Sequence, residues 1–160
     1  MSNALRFRSG QVELHRLRVD SGTVLNPGDL VYLDTDDVKP ASDLPFDTDL
    51  ATTRDNFGAV FLGICHQASA DGETADVSVD LSPLSVYEYD CDSATYEVGT
   101  LLAADGDGTG LEAQRLSKTT SAAAAIARSA EYKASAATLI RAQFASAFHP
   151  ASSNVNAAIG

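Results

Sequence analysis

A chain of 160 residues that is 44% apolar can build one core-bearing domain with short arms, and it holds no apolar run of the roughly 18 residues a transmembrane helix needs. Its net charge of −11 argues against nucleic acid as the main partner, because phosphate contacts need a basic face. The charge is segregated: residues 1–19 carry +3, residues 20–107 carry −17 (nineteen Asp or Glu against Lys39 and Arg54), and residues 108–160 carry +3. The acidic body suits solubility, and the basic N-terminal segment suits an acidic protein surface. Cys65 reads as a buried strand thiol and Cys91 as a loop thiol. Two such cysteines make no disulfide framework, and MSNALRFRSG lacks the apolar stretch of a secretory signal, so a reducing, intracellular origin is expected.

Residues 1–18 read as an extended N-terminal arm leading into a first strand, with Phe7 between Arg6 and Arg8 as its anchor. Val12, Leu14, Leu17 and Val19 change parity between Leu14 and Leu17, which predicts a bulge near His15 and Arg16. Ser21-Gly22 turns the chain. In Asn26-Pro27-Gly28-Asp29, Pro sets the first corner and Gly takes positive φ. Leu30 to Leu33 follows as a short strand, ending in Asp34-Thr35-Asp36-Asp37, too polar for core. Residues 38–56, with Pro40, Pro45 and many Asp, read as a long irregular loop pinned by Leu44 and Phe46.

The stretch from Phe57 to Leu81 organises the rest. Ala59 to Cys65 is apolar nearly throughout, as expected of a strand buried on both faces. Ala75 to Leu81 alternates, with Val77, Val79 and Leu81 on one face and Asp76, Ser78 and Asp80 on the other. Asp71-Gly72 supplies the turn between them, and Gly63 marks a bulge or a close backbone approach.

Leu84 to Tyr89 is the next strand, turned by Asp90-Cys91-Asp92-Ser93 into Thr95 to Leu102. A glycine-rich turn at 105–110 leads to Leu111–Leu116. Residues 119–148 are alanine-rich, which favours helix by propensity. Yet Ile126, Leu139, Ile140, Phe144 and Phe148 make no single stripe. Alignment with the central hairpin (Ile126-Ala127-Arg128 on Ile64-Cys65-His66, then Ile140, Ala142, Phe144) favours a second strand–turn–strand over a long helix, with room for a short helix at 121–125. The expected fold is mainly β, a barrel- or sandwich-like domain over 19–148 with the arm at 1–18 and a tail at 149–160.

Chemistry is sparse. His15, His66 and His149 lie far apart, and no Gly-x-Ser-x-Gly elbow, Cys-x-x-Cys or phosphate loop occurs. Asp105-x-Asp107-x-Thr109-Gly110 opens like a calcium loop, but its twelfth position is Leu116 rather than Glu. Asp34, Asp36 and Asp37 read as a solvated loop, or in a rival enzyme reading as a cation site for a hydrolase. No catalytic residue, metal or cofactor is expected. Tyr87, Tyr89 and Tyr96 suit cross-strand pairs, a subunit contact or a sugar-binding face.

Four stretches together resemble the capsid decoration, or cement, proteins of tailed bacteriophages. VLNPGDLVYL (24–33) is similar to their early turn and strand. FLGIC (61–65) with ADGE (70–73) resembles their hairpin. YEYDCDSATYEVG (87–99) resembles a segment ending in Tyr-x-Val-Gly. Residues 126–144 resemble their closing strand pair. The resemblance implies a non-enzymatic β protein, often a homotrimer. It would be made in the host cytoplasm and carried on the outer surface of an icosahedral head, clamping neighbouring major capsid subunits. The expected partners are the major capsid protein and other copies of the chain, with no nucleic acid or membrane. Arg6, Phe7, Arg8, Arg16 and Arg18 are the candidate arm that grips the capsid or a sister subunit. The alternative is a head-fibre or adhesin-type glycan-binding module using the three tyrosines and the acidic loop 38–56.

Overall fold

The computed structural model describes residues 5–157. The elements in order are β1 (Phe7–Ser9), β2 (Leu14–Leu17), β3 (Leu30–Asp34), β4 (Asp37–Pro40), a 3-10 turn (Ala41–Asp43), α1 (Leu50–Val60), β5 (Phe61–Cys65), β6 (Val77–Asp80), β7 (Val86–Tyr96), β8 (Leu101–Gly106), β9 (Leu111–Lys118), β10 (Ala127–Ser129) and β11 (Lys133–Phe144). One sheet runs β1-β7-β11-β10-β8-β9. Because β9 also pairs with β7, in parallel at Asp90↔Arg115, five of its strands close into a barrel and β1 lies outside on the β7 edge. The second sheet runs β2-β6-β5-β3-β4, antiparallel throughout. The mainly β, barrel-like expectation holds.

Period-two alternation fills the barrel. Tyr87 and Tyr89 of β7 point inward with Ile140, Ala142 and Phe144 of β11, joined by Leu102, Leu116 and Ile126. Tyr89 and Phe144 meet edge to face at 5.3 Å between ring centres. The same core extends to the second sheet through Leu30, Tyr32, Phe61 and Ile64. The opposite face of that sheet gathers a smaller core from Val19, Leu25, Val31, Val38, Leu62, Cys65, Val77, Val79 and Leu81. β5 is therefore buried on both faces, as its unbroken apolar run predicts. At Gly63 both expectations are met. The β3–β5 register shifts between Val31 and Tyr32, and a Cβ at Gly63 would lie 2.1 Å from the Asp80 carbonyl oxygen. The predicted turns at Gly28 (φ 96°) and Gly72 (φ 92°) form as well.

Several elements differ from the sequence reading. β2 pairs with β6 in continuous register from Leu14↔Asp80 to Leu17↔Val77, without a bulge. The change of parity marks the strand's end, beyond which Val19 enters the smaller core. The loop expected at 38–56 is irregular only at 44–49, where Leu44 packs on the main core: Val38 is a buried strand residue and α1 begins at Leu50. The helix was hidden because only Thr53, Phe57 and Gly58 of it are buried. What starts it is Asp49, whose side chain accepts from the Thr52 amide at 2.7 Å. Gly58 leaves room for the Ala123 carbonyl, which an added Cβ would meet at 2.1 Å.

β7 runs straight through Asp90–Ser93, with Cys91 buried rather than in a loop. The reversal falls at 97–100, where Gly99 has φ 86° and the Thr100 amide donates to Glu97. The favoured strand pair in the last third is present as β10 and β11, and residues 122–124 form a turn instead of a short helix. Residues 149–157 pack onto the body. Asn154 donates through Nδ2 to the carbonyls of Gly58 and Ala145, both at 3.0 Å, and Asn156 donates to Ala123.

Candidate interaction face

The arm lies along the barrel. β1 pairs with β7 at Phe7↔Tyr87, and the Glu88 amide donates to Arg6. Phe7 is 41% exposed, yet its ring meets Tyr87 edge to face with 5.6 Å between ring centres. At Gly10 (φ 92°) the chain passes so close to Leu84 that a Cβ would meet its carbonyl oxygen at 1.9 Å. That position fixes where the arm leaves the body.

Alternation along β7 and β11 decides what lies outside. With Tyr87, Tyr89, Ile140 and Ala142 inward, Glu88, Asp90, Arg141 and Gln143 face outward. Arg8 Nη2 donates to Glu88 Oε1 at 2.8 Å, and Arg141 Nε lies 4.0 Å from Glu88 Oε2. Arg6 donates to the Glu88 carbonyl and to Asp90 Oδ1, both at 3.1 Å. Arg128, exposed on β10, stands opposite Gln143. Four arginines thus share one outward face of an acidic protein with Glu88 and Asp90, and Glu131, paired with Lys133, accepts from the Arg141 amide at 3.0 Å. The Arg8 hydrogen bond is the first cause holding the Glu88 carboxyl below its ordinary range.

The five arm residues separate. Arg6, Phe7 and Arg8 sit on the barrel face. Arg16 donates to Gln67 Oε1 at 3.2 Å, and Arg18 grips Asp37 through two bonds of 2.6 and 3.1 Å at the second sheet. Arg128 and Arg141, which complete the face, were missed. Their outward positions beside buried Ala127, Ile140 and Ala142 were the available signal.

The other candidates are tied into the structure. Tyr87, Tyr89 and Tyr96 are buried in the barrel core, so they form no sugar-binding surface. Tyr87 donates to Asp80 Oδ2 at 2.6 Å and contacts His66 Nε2, while Asp80 Oδ1 accepts from the amides of Glu13 and Ser82. Burial pushes the Tyr87 hydroxyl far up and the His66 imidazole down. His149 and His15 both reach Glu13, at 2.8 and 3.2 Å, and lower its carboxyl. Asp105 binds Arg54 and Arg115, and Asp107 caps the Thr109 amide and hydroxyl, as in a glycine-rich hairpin turn. Asp34 pairs with Lys39 and Asp37 with Arg18. Among the described residues, no group of three or more His, Cys, Asp or Glu has metal-binding geometry. Both cysteines are free and buried, and burial pushes the Cys65 thiol up to about 11.

No family model and no curated protein matches the chain. Among solved structures it is similar to the N base of head fiber gp8.5 of bacteriophage phi29, at 13% identity and a TM-score of 0.45, over 82% of this chain and 94% of that one.

Proposed function

We propose that the chain is a non-enzymatic structural protein of a tailed-phage head, binding the outer capsid surface and clamping neighbouring major capsid subunits. The reading joins the sequence resemblance to one structural observation. β1 is exposed along its whole length and, among the described residues, is paired on one side only. A short, basic, half-paired strand can accept an extended segment of a neighbour through main-chain hydrogen bonds, with Phe7 as the side-chain anchor. Several such weak contacts, held by one oligomer, add as avidity. The glycan-binding alternative loses its three tyrosines, which are interior.

Heating heads that lack the protein, with and without added chain, tests the clamp. DNA release is expected at a higher temperature with the full chain and at the unprotected temperature with a variant lacking residues 1–9. Equal protection by that variant, shown to be folded, would contradict the role given to the arm.

A further inference from the structure

The segregated charges suggest what the barrel face binds. Arg6, Arg8, Arg128 and Arg141 lie on one outward surface with Glu88 and Asp90, and at its edge Glu131 accepts from the Arg141 amide at 3.0 Å and is paired with Lys133. Arg128 has no ion pair among the described residues, and Arg141 reaches Glu88 only at 4.0 Å. On the second sheet the loop before β6 is its counterpart. Residues 71–76 are exposed throughout and carry Asp71, Glu73 and Asp76. Glu73 accepts only from the Ala70 amide within its own turn, and none of the three is in an ion pair among the described residues. The basic face and the acidic loop belong to different sheets of one chain, and no ion pair joins them there.

We propose that the arginine face, centred on Arg128 and Arg141, receives the 71–76 loop of a second copy of this chain. The contact is head to tail, because each protomer offers a different patch to each neighbour, and such contacts close into a ring or run on as a chain of subunits. Opposite potentials steer the two patches together and set their register, whereas face-to-face or loop-to-loop approach sets like charges against each other. The proposal concerns contacts between copies and stands whether or not the assembly binds a phage head.

Analytical ultracentrifugation of the purified full chain tests it. Self-association is expected at low salt, with a dissociation constant at least roughly tenfold weaker once ionic strength reaches about 0.5 M, where the Debye length is a few Å. R128E/R141E is expected to stay monomeric, as is D71K/E73K/D76K. An equimolar mixture of the two variants is expected to associate, because each supplies the patch the other has reversed. Circular dichroism on each variant separates lost association from lost folding. A folded R128E/R141E that associates like the natural chain would overturn the proposal. So would a natural chain that stays monomeric at low salt, including one that still needs these arginines to bind heads, for the partner would then be another protein.

Discussion

Replacing Tyr87 by Phe removes one oxygen from a buried polar network that also holds Asp80 and His66. Tyr87 is fully buried and its hydroxyl donates to Asp80 Oδ2 at 2.6 Å. Asp80 is itself 3% exposed, and its other oxygen is taken by the amides of Glu13 and Ser82. Without the hydroxyl, one carboxylate oxygen has no donor in a place water reaches poorly. Hydrogen bonds to charged groups contribute roughly 1.5–3 kcal/mol, and stranding a buried acceptor adds to the loss, so Y87F should destabilise by about 2–3 kcal/mol. For a chain of this length that is a fall in Tm of roughly 5–10 °C. Y89F is the control: its equally buried hydroxyl donates to the neutral Gly28 carbonyl, and its loss should cost about 1 kcal/mol. Chemical denaturation of both variants and the natural chain decides it. A Y87F within about 0.5 kcal/mol of the natural chain, or a Y89F that costs more than Y87F, would refute the reasoning, since surface-like effects have that size.

Gly63→Ala should lower stability by about 1–3 kcal/mol, because its Cβ would meet the Asp80 carbonyl at 2.1 Å and that backbone belongs to a paired strand; the denaturation midpoint reads this. Asn154→Ala should free the C-terminal segment at a cost of about 1–3 kcal/mol by removing two buried bonds, seen as faster proteolysis between residues 149 and 157. The arm should loosen in acid. Arg8 holds the Glu88 carboxyl below its ordinary 4.5, so the pair's stabilisation is complete above that pH and is lost as pH falls through the lower folded value. Hydrogen exchange at residues 7–9 should therefore accelerate in that window relative to the barrel strands, and Arg8→Ala should shrink that pH dependence to the smaller part that Arg6 and Arg141 sustain.

The two hairpins that build the cores were legible because their residues state a period. Val77 and Val79 alternate with Ser78 and Asp80, and Ile140, Ala142 and Phe144 repeat the pattern across an alanine-rich stretch. The helix α1 was not legible, because tertiary packing rather than an apolar stripe holds it: Arg54 donates to the Ala104 carbonyl and Asp105, and Gly58 admits Ala123. Asp90 and Asp92 suggested a turn, yet in β7 they are outward residues beside buried Tyr89 and Cys91. Local propensity mistook a charged outer face for a break. The basic face was half visible. Arg6 and Arg8 stood out in the first ten residues, whereas Arg128 and Arg141 join them only through the β7–β11–β10 pairing, which no local pattern encodes.

The central claim is attachment to a phage head, and a binding titration tests it most directly. Purified chain would be sedimented with mature heads lacking it, and the bound amount measured to saturation. Saturation is expected at a fixed number of copies per head, with binding weakened when residues 1–9 are removed. No binding by a chain that circular dichroism shows to be folded would contradict it.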